Sequence, residues 1–101
     1  MSEVIEKQFA LTRMIPKLLA EIHDNGYECT FGDAWARDGH MKNSLHYIRL
    51  AVDINLFLNG KYLTKYEDHE QFGIFWESIG GTWGGRFGDA NHYSIEYEGR
   101  K

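Results

Sequence analysis

The sequence predicts one small α+β domain with a mainly antiparallel sheet. Three observations carry that prediction. Two stretches show apolar residues at helical spacing, one long stretch alternates aliphatic and polar residues, and an Asn-Gly pair follows that stretch directly. A length of 101 residues leaves room for a single domain, 1–101, since domains run to roughly 100–200 residues.

In the first segment Val4, Phe9, Leu11, Ile15, Leu18, Leu19 and Ile22 recur close to the helical period, and Asn25-Gly26 supplies a stop. The pattern marks a helix that packs as a layer over a sheet. Pro16 lies inside it and either kinks the helix or opens its second half, because it cannot donate to the preceding turn. Tyr27 to Phe31 reads as a short strand, and the polar, glycine-containing stretch Gly32 to Asn43 reads as loop.

The clearest strand runs from Tyr47 to Leu58. Ile48, Leu50, Val52, Ile54, Leu56 and Leu58 fall on one face, and Arg49, Ala51, Asp53 and Asn55 on the other. Asn59-Gly60 is the type I′ hairpin signal, with Lys61 to Thr64 returning. A second helix is predicted from about Glu67 to Ser78, its apolar side formed by Phe72, Phe75, Trp76 and Ile79, and Gly80-Gly81 ends it. The glycine-rich stretch Gly84 to Asn91 then leads into a last strand, His92 to Tyr97.

Composition narrows the function classes. With 43% hydrophobic and 15% aromatic residues the chain can build a core, which excludes a wholly disordered protein. A net charge of −4 argues against a nucleic-acid binder that relies on phosphate attraction. Cys29 is the only cysteine, which rules out an internal disulfide and a cysteine-rich zinc knuckle. A domain this short buries only about 60–65% of its unfolded surface, so a bound metal would matter for stability. Neither a signal-peptide core nor a stretch of about 18 apolar residues occurs, so the expectation is a protein made in the cytoplasm that needs help to cross a membrane.

Two histidines and several carboxylates bracket the best strand. His46 stands at its entrance, Asp53 on its polar face, and His92 opens the last strand. Two imidazoles and one carboxylate suit a catalytic zinc site with a position open to water. On a flat strand the spacing of His46 and Asp53 puts them on opposite faces. They converge only if the chain bends or bulges between them, with His46 on the incoming loop. Asp89, three residues before His92, can stand near such a site without ligating the ion and take a proton from water. On spacing alone the plainer reading stays open: strand-edge histidines at the surface, Asp53 paired with Arg49, and Asp89-Ala90-Asn91 as ordinary turn residues. Glu67, Asp68 and Glu70 can likewise be read as a cation site, such as one for regulatory calcium, or as a solvated helix start.

The segment Ser44-Leu45-His46-Tyr47-Ile48-Arg49-Leu50-Ala51-Val52-Asp53 resembles the Ser-x-His-x-x-Gly-x-Ala-x-Asp motif of zinc D-Ala-D-Ala carboxypeptidases and L-alanyl-D-glutamate peptidases. Trp83-Gly84-Gly85-Arg86-Phe87-Gly88-Asp89-Ala90-Asn91-His92-Tyr93-Ser94 resembles the second motif of that family, an acidic residue three before a histidine. The resemblance covers about Gly26 to Tyr97 and points to the short phage endolysins among the VanY-like peptidases, with a fold like that of the hedgehog and D,D-peptidase group.

It implies a zinc ion held by His46, Asp53 and His92, with Asp89 as general base and later proton donor. It implies that Ser44 steadies the site beside the first histidine and that Arg37 polarises the scissile carbonyl or grips a substrate carboxylate, with Arg86 as the competing cation. Trp83, Trp35 and Tyr93 are candidates to line the substrate groove, with burial in the core as their default. The motif glycine is Arg49 here, expected in ordinary strand geometry on the same face as Asp53, orienting it or projecting to solvent.

The activity so implied is hydrolysis of the peptidoglycan stem peptide, foremost at the L-Ala–D-Glu bond. The rivals are a D,D-carboxypeptidase trimming terminal D-Ala and a zinc-stabilised binding module without catalysis. The implied life of the protein is that of a monomer with no nucleic-acid partner and no stable membrane insertion. It would wait in the host cytoplasm until a holin-type pore releases it to the cell wall.

Overall fold

The computed structural model describes residues 2–35 and 44–101. Ser2 opens the first helix, its hydroxyl accepting a hydrogen bond from the Ile5 amide at 3.2 Å. That helix, α1, spans Glu3–Asp24 and passes through Pro16 without breaking into two. Pro16 and Thr12 are both exposed, so the Thr12 carbonyl, which loses its helical donor to the proline, is left on the solvent side. Leu11, Leu18 and Ile22 form the buried stripe.

Strand β1 is Glu28–Phe31, β2 Ala51–Leu58, β3 Lys61–Leu63, β4 Thr82–Trp83 and β5 His92–Ser94, and helix α2 is Tyr66–Ser78. All pairings are antiparallel, in the order β1-β2-β5-β4 with β3 also on β2. The α+β class therefore holds, and the hairpin forms as expected, with Asn59 (φ 51°) and Gly60 (φ 79°) both in the left-handed region that a type I′ turn demands.

Val52, Ile54 and Leu56 of β2 share one core with the α1 stripe, with Phe72 and Trp76 of α2, and with Trp83, Tyr93 and Ile95. Each fully buried side chain of this size contributes about 1.5–3 kcal/mol relative to exposure. Gly73 makes the helix–sheet contact possible, since a Cβ there would sit 2.0 Å from the Trp83 ring. A smaller cluster of Leu45, Leu50 and Ala51 packs with Val4, Ile48 and Tyr97 beside the entrance to β2.

Two strand boundaries and one additional strand depart from expectation. The strand predicted from Tyr47 begins only at Ala51, because Leu45–Ile48 coil into a 3-10 turn. The last strand ends at Ser94, and the two-residue β4 pairs with it, too short to leave a periodic signal.

Candidate metal centre

The turn before β2 supplies the bend that His46 and Asp53 require. The Ser44 hydroxyl accepts from the His46 amide at 3.2 Å and caps the turn. Arg49 closes it in the left-handed region, φ 59° and ψ 35°, and the Leu50 amide donates to the Leu45 carbonyl at 2.9 Å. The chain reverses there, and buried His46 swings onto the face that carries Asp53.

Sheet register brings the third group. Asp53 and His92 are direct partners across β2 and β5, and such opposed residues hold their Cβ atoms about 4.5–5.5 Å apart. The other edge of β2 is fixed as well, because the Asp53 amide donates to the Asp33 carbonyl at 2.7 Å and the Asp53 carbonyl accepts from the Gly32 amide at 2.8 Å.

The result is a compact donor set. His46 Nε2 lies 3.1 Å and His92 Nδ1 3.9 Å from Asp53 Oδ1, and one ligand atom from each residue falls within 4.8 Å of the others. The two imidazole rings stand 5.2 Å apart at 79°. Among the described residues Asp53 Oδ1 is a buried acceptor with no hydrogen bond of sound geometry, a demand that a cation held between the two imidazoles would meet. Two imidazole nitrogens and a carboxylate oxygen are the donor chemistry of a catalytic zinc site, and these residues fit one.

Electrostatics agree. Burial works against a charge on His46, but the Asp53 carboxylate close beside it, with Asp33 and Asp89 adding, raises its pKa above the ordinary value. Burial lowers that of His92. The corner is thus negative enough to attract a cation onto nitrogens that must be neutral to ligate it.

Asp89 stands beside the set without belonging to it. Its Oδ2 is 3.7 Å from His92 Nδ1, and its side chain is 54% exposed, open to a water or a substrate. The loop that carries it curls tightly, the Asp89 amide donating to the Gly84 carbonyl at 2.9 Å and the His92 amide to the Asp89 carbonyl at 3.1 Å. A Cβ on Gly84 would come within 2.4 Å of the Asp89 carbonyl oxygen and 2.6 Å of His92 Cβ, so only glycine fits there.

The other sequence candidates separate. Arg37 lies outside the described residues. Ser44 acts through the turn, capping the residue that carries the first imidazole. Trp83 and Tyr93, read as candidates to line a groove, are wholly buried and support the site from below. Trp83 Nε1 donates to the Ala90 carbonyl at 2.7 Å, and the Tyr93 hydroxyl pairs with His69 Nδ1 at 3.0 Å. Arg86 is engaged elsewhere, held by Glu77 at 2.8 and 3.0 Å and by the Tyr66 hydroxyl at 3.2 Å.

Arg49 is a correction. Its backbone is left-handed rather than strand-like; of the two expected side-chain outcomes the structure shows the exposed one, with the guanidinium 4.9 Å from the ring of exposed Trp35. Its left-handed backbone also explains why the motif has glycine at this place. Asp33 and Gly84 were not singled out by sequence reasoning. The Gly84-Gly85 pair was a visible signal for the second, and nothing local marks the first.

A family model described as D-alanyl-D-alanine carboxypeptidase matches residues 37–95, a span that contains His46, Asp53, Asp89 and His92. No curated protein matches the chain.

Proposed function

The chain belongs to the M15 peptidase family described as D-alanyl-D-alanine carboxypeptidase, and from that membership we propose that it is a zinc peptidase of bacterial peptidoglycan that cuts the stem peptide at the L-Ala–D-Glu bond. The observation that carries the reading is the convergence of His46 Nε2, Asp53 Oδ1 and His92 Nδ1, with the exposed Asp89 carboxylate 3.7 Å from His92.

Bound at His46, Asp53 and His92, zinc supplies Lewis acidity to a carbonyl and to water. The protein does the rest. Asp89 takes the proton of the attacking water and returns it to the departing nitrogen. The Ser44-capped turn and the Asp53–His92 register hold the donor atoms in place, so little reorganisation accompanies reaction. Arg37 is the proposed partner of the scissile carbonyl or of a substrate carboxylate. The biological setting we propose is that of a phage endolysin.

The family's description as D-alanyl-D-alanine carboxypeptidase favours a second reading, removal of terminal D-Ala by the same groups. Mass spectrometry of purified peptidoglycan, incubated with zinc-loaded protein beside a chelated control, separates the two. Stem peptides beginning with D-Glu are the expected product. Loss of terminal D-Ala alone would move the protein to the carboxypeptidase reading. Absence of any metal-dependent product, with chelation only lowering the melting temperature, would overturn catalysis and leave a zinc-stabilised binding module.

A further inference from the structure

Beyond the stretch matched by the family model, the chain folds back on the metal corner. Glu98 (φ 50°) and Gly99 (φ 76°) turn the backbone, and Tyr97 and Arg100 close the turn with reciprocal main-chain bonds of 3.0 and 2.9 Å. The turn delivers two groups, one to His92 and one to the cap of the turn that carries His46. The Lys101 main-chain oxygen lies 2.7 Å from His92 Nε2 and 2.7 Å from Ser94 Oγ. A main-chain oxygen only accepts, so Nε2 carries the hydrogen, and Nδ1, the atom that faces Asp53, keeps its lone pair. At the same time Arg100 Nη2 donates to the Ser44 carbonyl at 3.2 Å, and Ser44 is the cap of the turn that presents His46.

We infer that residues 98–101 form a positioning clasp for the metal centre, in which the Lys101 main-chain oxygen holds His92 in the tautomer that offers Nδ1 and Arg100 steadies the turn beneath His46. The inference rests on reading His46, Asp53 and His92 as metal ligands. A tail that served only to cover the core would bring apolar surface to it. Glu98, Gly99 and Lys101 are exposed and Arg100 only half-buried, so what this segment brings is hydrogen bonds to His92 and to the cap of the turn that carries His46. Hydrogen-bond partners behind ligating histidines commonly carry 10–100-fold of metal affinity.

The test compares the full chain with a chain ending at Glu98, using Zn2+ alone as probe in competition with a chromophoric chelator. The shortened chain should bind about 10–100-fold more weakly, with the melting temperature of the metal-free protein little changed. Arg100→Ala, which keeps the Lys101 contact, should show a smaller loss. Long-range 1H–15N spectra of the metal-free full chain should report His92 protonated at Nε2, and a tautomer mixture once the clasp is removed.

Equal zinc affinity and an unchanged tautomer in the shortened chain would overturn the clasp. If the shortened chain fails to fold, a full-length His92 protonated at Nδ1 overturns it equally. His46→Ala separates this from failure of the ligand reading: if the full chain binds zinc no better than that variant, the metal centre itself is wrong. A tight full chain, a weak His46→Ala variant and an unaffected shortened chain refute only the clasp.

Discussion

The two halves of β2 are built on different rules. From Ile54 to Leu58 the strand is a regular ladder, with β1 on one edge and β3 on the other and with Ile54 and Leu56 fully buried against the helices. From Ala51 to Asp53 it pairs with β5, and the buried side chains gathered around it include His46, His92 and Ser94. Much of the hydrogen bonding at this end comes from outside the strands. The Asp33 carbonyl takes the Asp53 amide at 2.7 Å, the Asn91 carbonyl takes the Ile54 amide at 2.9 Å, and the Leu50 carbonyl takes the Ile95 amide at 3.0 Å. One half of the strand buries apolar surface; the other holds polar groups at fixed places. The pleat links them, since the alternation that sends Ile54 and Leu56 inward turns Asp53 toward the opposite face.

If that division is right, substitutions should separate stability from chemistry. Asp89→Ala removes the exposed carboxylate beside His92 and should lower turnover about 10²–10⁴-fold. Zinc stoichiometry and melting temperature should stay as they were, because no ligand atom or buried contact is lost. Full residual turnover would refute the base assignment. In the other half, Leu56→Ala should cost about 2–5 kcal/mol in a urea titration, the usual range for a fully buried leucine. The folded fraction of that variant should bind zinc and turn over normally. A Leu56→Ala protein that folds yet loses zinc would show that the two halves are coupled through the strand.

The same division decides what was legible in the sequence. The regular half was read correctly from Ile54, Leu56 and Leu58 and from Asn59-Gly60, because period-2 burial and a type I′ turn leave local signals. In the other half the apolar period ran on through Ile48 and Leu50 and suggested a strand from Tyr47. Those residues are apolar because they pack beside the turn, and Leu50 is fully buried there, so tertiary packing imitated a strand pattern. The residues that the resemblance named as ligands do converge, His46 only because Arg49 accepts a left-handed backbone. The Lys101 oxygen and the Asp33 carbonyl that takes the Asp53 amide are main-chain groups, and main-chain chemistry is the same for every residue type, so no pattern announced these bonds.

Beneath the site a buried pair ties α2 to β5 and makes the corner sensitive to acid. Burial pushes the His69 imidazole down to about 4, against the weaker opposing effects of Asp68 and the Leu63 main chain. Its ring nitrogen is 3.0 Å from the Tyr93 hydroxyl, one residue from His92. The unfolded chain protonates this histidine near its ordinary value of about 6.5, whereas the folded chain resists until about 4. Unfolding therefore takes up a proton in that window, and stability falls as pH drops from 6.5 toward 4, by about 1.4 kcal/mol per unit or about 3 kcal/mol in all. Urea titrations of the metal-free protein at several pH values should show this decline. His69→Gln should make it shallower, whatever its effect at neutral pH, with buried His92 contributing in the same direction in both proteins. Equal slopes for the two proteins would remove His69 as the cause.

The smallest effect is expected at Arg49, which closes the turn leading into the polar half. Its left-handed backbone costs a residue with a side chain about 1–2 kcal/mol, which glycine would avoid. Glycine would in turn lose about 0.5–1 kcal/mol to greater freedom in the unfolded chain. The guanidinium 4.9 Å from the Trp35 ring is a cation–π contact at an exposed site, worth about 0.5–1 kcal/mol. These terms nearly cancel, so Arg49→Gly should change the stability of the metal-free chain by less than about 1 kcal/mol, with zinc affinity retained, because the turn keeps its shape. Arg49→Ala keeps the backbone cost and gives up the contact, and should therefore be the less stable of the two variants. If Arg49→Gly instead loses more than about 2 kcal/mol, beyond the usual range of an exposed cation–π pair, the side chain rather than the backbone holds this corner, and the entrance to the polar half is fixed by a packed contact with Trp35.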